Sequence, residues 1–150
     1  MKVKTTRFGE IELAQADIIT FEEGLPGFPD EHEFVILPYS DDSPFLYLQS
    51  AKQDYLAFIM ANPFLFFTDY EFELDDMQLE ELAIRSMEEV ASYVMITVPP
   101  RDVKTMTANL VAPVVINIHT HQGKQIVLEK SKYQTKHLLF SETASPKGGN

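Results

Sequence analysis

The chain has 150 residues, a formal net charge of -11 and no cysteine. That length fits one domain able to bury roughly 70% of its unfolded surface. The charge excludes phosphate-driven binding to DNA, RNA or an anionic membrane, which needs lysine and arginine in quantity, and the missing thiols exclude disulfides and thiolate metal sites.

In chain order, Val3 to Thr6 and Glu10 to Ala14 flank Phe8-Gly9 and predict a first hairpin. The N-terminal MKVKTTRFGEIEL is charged and lacks an apolar core, so it is not expected to be a signal peptide. Ile18 to Phe21 predicts a short strand. Gly24-Leu25-Pro26-Gly27-Phe28 is punctuated too densely for a regular element and reads as a structural corner with Leu25 or Phe28 plugging the core. An exposed apolar loop gripping a partner is the other reading of it. Phe34 to Leu37, stopped by Pro38, then Phe45 to Gln49 and Leu56 to Ala61 predict three further strands, with a turn at Asp41 to Pro44.

From Asn62 to Leu82 aromatics and carboxylates interleave with no lysine or arginine. Asp69 to Leu74 alternates acid and apolar one by one, which on a strand sends Tyr70, Phe72 and Leu74 inward and leaves Asp69, Glu71 and Glu73 in water. Phe64 and Phe66 share one strand parity, Leu65 and Phe67 the other, so either both faces are buried or an apolar patch is exposed. Leu79, Leu82 and Ala83 then fall at helical spacing, with Asp75 or Asp76 placed as N-cap. Tyr93 to Val98 returns to strand, and VVINIHTHQGKQIVLEK predicts a long hairpin turning at Gln122-Gly123. VAPVVINI is too short and proline-broken to span a membrane. Asn109 and Asn117, in apolar strand sequence, are expected to bond backbone at sheet irregularities. SETASPKGGN has nothing to bury and predicts a disordered tail over 141–150, leaving one domain over 1–140. The fold class expected is mainly β, a small antiparallel barrel-like domain with one or two short helices.

Catalytic signatures are lacking: no G-x-S-x-G elbow, Walker loop or G-x-G-x-x-G occurs. His119-x-His121 places two imidazoles on one face of a predicted strand. A metal site there needs a third ligand from afar, such as His32, His137 or a carboxylate. Otherwise both rings sit on the wet face near the hairpin tip. A metal-binding protein or hydrolase using His119 and His121 is therefore the alternative function.

Four segments, GLPGF (24–28), NPFLFF with DYEFEL (62–74), TANLVAPVVIN (107–117) and QIVLEKSKY (125–133), resemble in order and spacing the flagellar assembly factor FliW family, over about Thr6 to Phe140. Composition places the chain as a cytoplasmic monomer, and the resemblance implies a small antiparallel β-barrel-like fold without enzymatic activity or cofactor and with two protein partners. One is flagellin before export. The other is CsrA, a dimeric RNA-binding repressor of flagellin messenger RNA, which the free protein binds and antagonises until flagellin captures it. An export chaperone for flagellin alone is a third reading. On that resemblance the expected CsrA-facing residues are Asp69, Glu71, Glu73 and Asp75, with Phe67 as apolar anchor.

Overall fold

The computed structural model describes residues 2–140, so the tail expected over 141–150 lies outside the described residues. The first hairpin forms as expected. β1 (Lys2–Thr5) pairs antiparallel with β2 (Gly9–Glu12), and Gly9 supplies the positive φ of the turn at +68°. The Thr6 N–H donates to the Asp54 carbonyl at 2.9 Å and fastens this hairpin to the body.

The body is an antiparallel sheet whose main path runs β10-β9-β7-β6-β5-β4-β3. Its strands are β3 (Ile19–Thr20), β4 (Glu33–Pro38), β5 (Phe45–Ser50), β6 (Ala57–Ala61), β7 (Val90–Thr97), β9 (Val114–Asn117) and β10 (Gly123–Gln125). β8 (Thr107–Ala108) joins it through β7 and carries β11 (His137–Leu138) on its other edge. The mainly β, antiparallel expectation holds, but the sheet does not close as a barrel. Its two ends meet at a single parallel bridge between Thr20 and Gln122, where the Thr20 N–H donates to the His121 carbonyl at 2.8 Å. The one α-helix among the described residues is α1 (Asp76–Glu81), and it is neither long nor apolar enough to cross a membrane.

Three apolar clusters fill the interior. The first gathers Phe21, Phe34, Leu48, Met60 and Val114; the second Tyr70, Val94, Ala108 and Leu110; the third Leu82, Ile84, Val115 and Ile126. The GLPGF segment is the corner expected of it. Leu25 is buried and exchanges backbone hydrogen bonds with Phe28 at 3.2 and 2.7 Å, while Gly24 and Gly27 hold φ of +69° and +85°. A Cβ on Gly24 would stand 2.5 Å from the Phe28 carbonyl oxygen, so only glycine fits there.

Four expectations are corrected. Pro38 does not stop β4 but ends it from within, paired with Leu46. Phe64 to Phe67 are not strand residues: Pro63–Leu65 is a 3₁₀ turn, nucleated by proline at its start and by the Asn62 side chain, which accepts from the Phe64 N–H at 2.9 Å. Residues 69–74 belong to no strand: Asp69 lies in a turn closed by the Tyr70 N–H on the Phe67 carbonyl at 3.0 Å, and no other strand pairs with 70–74. The last hairpin turns at 118–122 rather than at Gln122-Gly123: Gly123 is already in β10, opposite Ile116 and against the Phe21 ring. Asn117 sets that turn by accepting from the His119 and Thr120 N–H groups at 2.9 and 3.2 Å.

Candidate functional site

The interleaved segment keeps its alternation without being a strand. Tyr70 is buried, Phe72 and Leu74 are half-buried, and Asp69, Glu71, Glu73 and Asp75 are exposed. Tyr70 anchors the run. Its hydroxyl donates to the Leu110 carbonyl at 2.7 Å, and its ring lies 4.7 Å from that of Tyr133 and 5.5 Å from that of Phe72. Burial, with Tyr133 alongside, pushes its phenol well above the ordinary range. Phe72 and Leu74 then pack on the third cluster. Inward aromatics thus hold the chain taut and leave the carboxylates no choice but water.

At the end of the run Asp75 is the N-cap of α1. Its carboxylate accepts from the Gln78 N–H at 2.8 Å, and the Gln78 side chain accepts from the Asp75 N–H at 2.9 Å. This reciprocal box satisfies two amides that a six-residue helix would otherwise leave free.

Beside the run opens a groove of about 500 Å³. Glu71, Glu73 and Asp75 stand on one wall; Val127, Glu129 and Lys132 stand on the other, with Phe72, Leu128 and Tyr133 also lining it. The Tyr133 hydroxyl accepts from the Glu71 N–H at 3.1 Å and ties the two walls together. Among the described residues none of the four groove carboxylates has an ion-pair partner within 4.0 Å. Four acids against one lysine give the groove a negative field beside the apolar side chains of Phe72, Val127 and Leu128.

Of the residues expected to face a partner, the fold brings Glu71, Glu73 and Asp75 to this groove. Asp69 is exposed but does not line it, and Phe67 is half-buried against the second cluster, its ring 6.2 Å from His137. Phe67 packs on the second cluster with part of its ring exposed, and the apolar side chains of the groove itself are Phe72, Val127 and Leu128. The 127–133 wall was visible in sequence only as part of a resembling segment. In sequence Ile126-Val127-Leu128 is uniformly apolar, and nothing in it marks Val127 as the exposed residue of the three.

The histidine pair lies elsewhere. His119 and His121 occupy the turn after β9 rather than one strand face, with His121 at φ +62°. No group of three metal-ligating side chains forms among the described residues, so the strand-face geometry behind the alternative function is absent there. Both flagged asparagines bond backbone: Asn109 accepts from the Val111 N–H at 3.2 Å, and Asn117, fully buried, donates to the Leu82 and Ala83 carbonyls at 2.8 and 3.2 Å.

Comparison with known proteins gives a consistent match. The sequence fits the family model described as FliW protein over residues 2–139. It is 48% identical over 139 residues to the flagellar assembly factor FliW of Bacillus velezensis, spanning 93% of this chain and 96% of that one. The protein of the same name from Geobacillus thermodenitrificans is 48% identical over 143 residues, 95% of this chain and 97% of its own; that from Bacillus subtilis is 43% identical over 143 residues, 95% and 99%. A crystal structure described as the flagellar assembly factor FliW superposes with a TM-score of 0.89 at 44% identity, covering 95% of this chain and 99% of that one.

Proposed function

The chain belongs to the FliW family, flagellar assembly factors rather than enzymes, and from that premise we propose that it acts in the cytoplasm by binding flagellin and, when free of it, by binding and antagonising the translational repressor CsrA. The observation that carries this reading is the groove beside Glu71, Glu73 and Asp75, whose carboxylates have no ion-pair partner among the described residues. A repressor that binds messenger RNA presents a surface adapted to phosphate. An acidic partner is steered to such a surface and sets a repulsive field against RNA beside it. The net charge of -11 adds long-range attraction to the same encounter.

A partner switch requires that flagellin and CsrA weaken each other's binding, and the weakening is the same in both directions. Whether one site is shared or two communicate, the apparent CsrA affinity must drop as flagellin rises. The test is a calorimetric titration of CsrA into the protein, repeated with flagellin present and with the double variant Glu71→Lys, Glu73→Lys. The expected outcome is binding that flagellin suppresses and that charge reversal weakens by about tenfold or more. CsrA binding indifferent to flagellin would sink the switch; indifference to the double variant would remove these carboxylates from the interface.

A further inference from the structure

Both walls of the groove, 71–74 and 126–128, lie outside regular secondary structure and have backbone groups to spare; a turn at 129–130 ends the second, with Lys130 at φ +56°. On one wall the Ile126 and Leu128 N–H groups donate to the Pro113 and Val111 carbonyls at 2.9 and 2.7 Å, which lays this run as an extra strand-like layer beside 111–113. Successive backbone groups in an extended chain point to opposite edges. Those of Val127, between the two bonded residues, therefore point the other way, and its N–H makes no backbone hydrogen bond to another described residue. On the facing wall the Glu71 N–H is directed at Tyr133, a groove residue, so Glu73 two positions on is directed the same way. The Phe72, Glu73 and Leu74 N–H groups also make no backbone bond among the described residues.

The side chains agree with this layout. Phe72, Leu74 and Leu128 pack on one cluster with Ile126, whereas Glu71, Glu73, Val127 and Glu129 are exposed. The groove thus lies where a strand between the two walls would lie, above a common apolar floor. A row of free N–H and C=O groups at a sheet edge is a template for another extended chain.

We propose that the groove takes an extended, lysine- or arginine-bearing segment of a protein partner as an added strand, hydrogen-bonded to Val127 on one side and to Glu73 on the other. The proposal rests on the reading of the chain as a protein-binding regulator. Charge complementarity decides the occupant. Alternate side chains of the segment meet Phe72 and Leu128 below, and the others extend among Glu71, Glu73, Asp75 and Glu129, which demand cations. A second copy of this chain, with its net charge of -11, would meet like charge.

Amide hydrogen exchange on the full chain, followed by NMR, reads the strand directly. The probes are an acetylated heptapeptide of alternating lysine and valine, the same peptide N-methylated at alternate residues, purified CsrA and purified flagellin. Saturation with the unmodified peptide or with a protein that binds is expected to slow exchange at Glu73 and Val127 by at least about tenfold, and the N-methylated peptide is expected not to. Val127→Pro, which deletes one donor and leaves the Ile126 and Leu128 bonds alone, should weaken peptide binding about tenfold, while Val127→Ala retains it. Unchanged exchange at these amides with every probe overturns the proposal, as does equal protection by the N-methylated peptide. Direct binding of CsrA and flagellin judges the broader reading separately. CsrA or flagellin bound, with no probe protecting these amides, leaves that reading standing and the added strand refuted; protection by the peptide with neither protein binding does the reverse.

Discussion

Asn117 shows how much one buried polar side chain can organise. Its amide nitrogen donates to the Leu82 and Ala83 carbonyls beyond the end of α1, and its oxygen accepts from His119 and Thr120 in the turn that follows β9. Asn117→Ala leaves those buried groups without partners and is expected to cost about 1–3 kcal/mol, measured as a shift in the urea midpoint at unchanged slope. Tyr70 is the second such residue, and its consequences depend on pH. The folded state holds its phenolic proton more tightly than the unfolded chain, because burial disfavours the phenolate. Its contribution to stability is therefore intact below about pH 10 and declines as the pH rises beyond that. Tyr70→Phe is expected to lose about 1–2 kcal/mol near neutrality, through the Leu110 carbonyl it abandons, and to flatten the alkaline decline. Tyr93, also pushed up by burial, keeps part of that slope. Denaturation curves at neutral and alkaline pH check both effects.

At the scale of elements, α1 and the extended run before it work as one piece. A six-residue helix has no stability alone in water and exists because it is capped and packed. Of the groove carboxylates, Asp75 is the one engaged in that cap. Asp75→Ala is expected to cost about 1 kcal/mol of folding stability, whereas Glu71→Gln, at an exposed position, should change stability by less than about 0.5 kcal/mol. Thermal melts of the two variants separate the carboxylate that builds the wall from the one that only charges it. The Lys124 ammonium, 3.2 Å from Glu23 and 2.9 Å from Glu81, links the corner that carries Gly24 to the far end of the same helix.

The whole molecule carries 23 acidic against 12 basic residues. The ion pairs of the described residues engage Glu10, Glu23, Glu33 and Glu81 and leave the groove acids uncompensated. Association with a basic protein should therefore be steered and salt-sensitive. Raising ionic strength from about 0.01 to 0.15 M shortens the screening length from roughly 30 to 8 Å, and the association rate is expected to drop by about tenfold or more. Dissociation should change far less. Stopped-flow measurements with CsrA check this, and the Glu71→Lys, Glu73→Lys variant is expected to show a shallower dependence.

What the sequence determined by itself is what rests on neighbours along the chain. The inward and outward alternation of Tyr70 to Leu74, an N-cap at Asp75 or Asp76, the corner at Gly24 to Phe28, the first hairpin and the sign of the surface charge all follow from local sterics, local capping and composition. Whether an alternating run pairs into a sheet does not, because period two is common to every extended chain and the partner backbone is distant in sequence. Only the tertiary structure left 70–74 unpaired, turned the last hairpin at Asn117 rather than at the glycine, and laid Phe67 against the second cluster. Only it brought Val127 to Tyr133 across from Glu71, 62 residues away at the Tyr133 contact, to make a groove of what had been a row of acids.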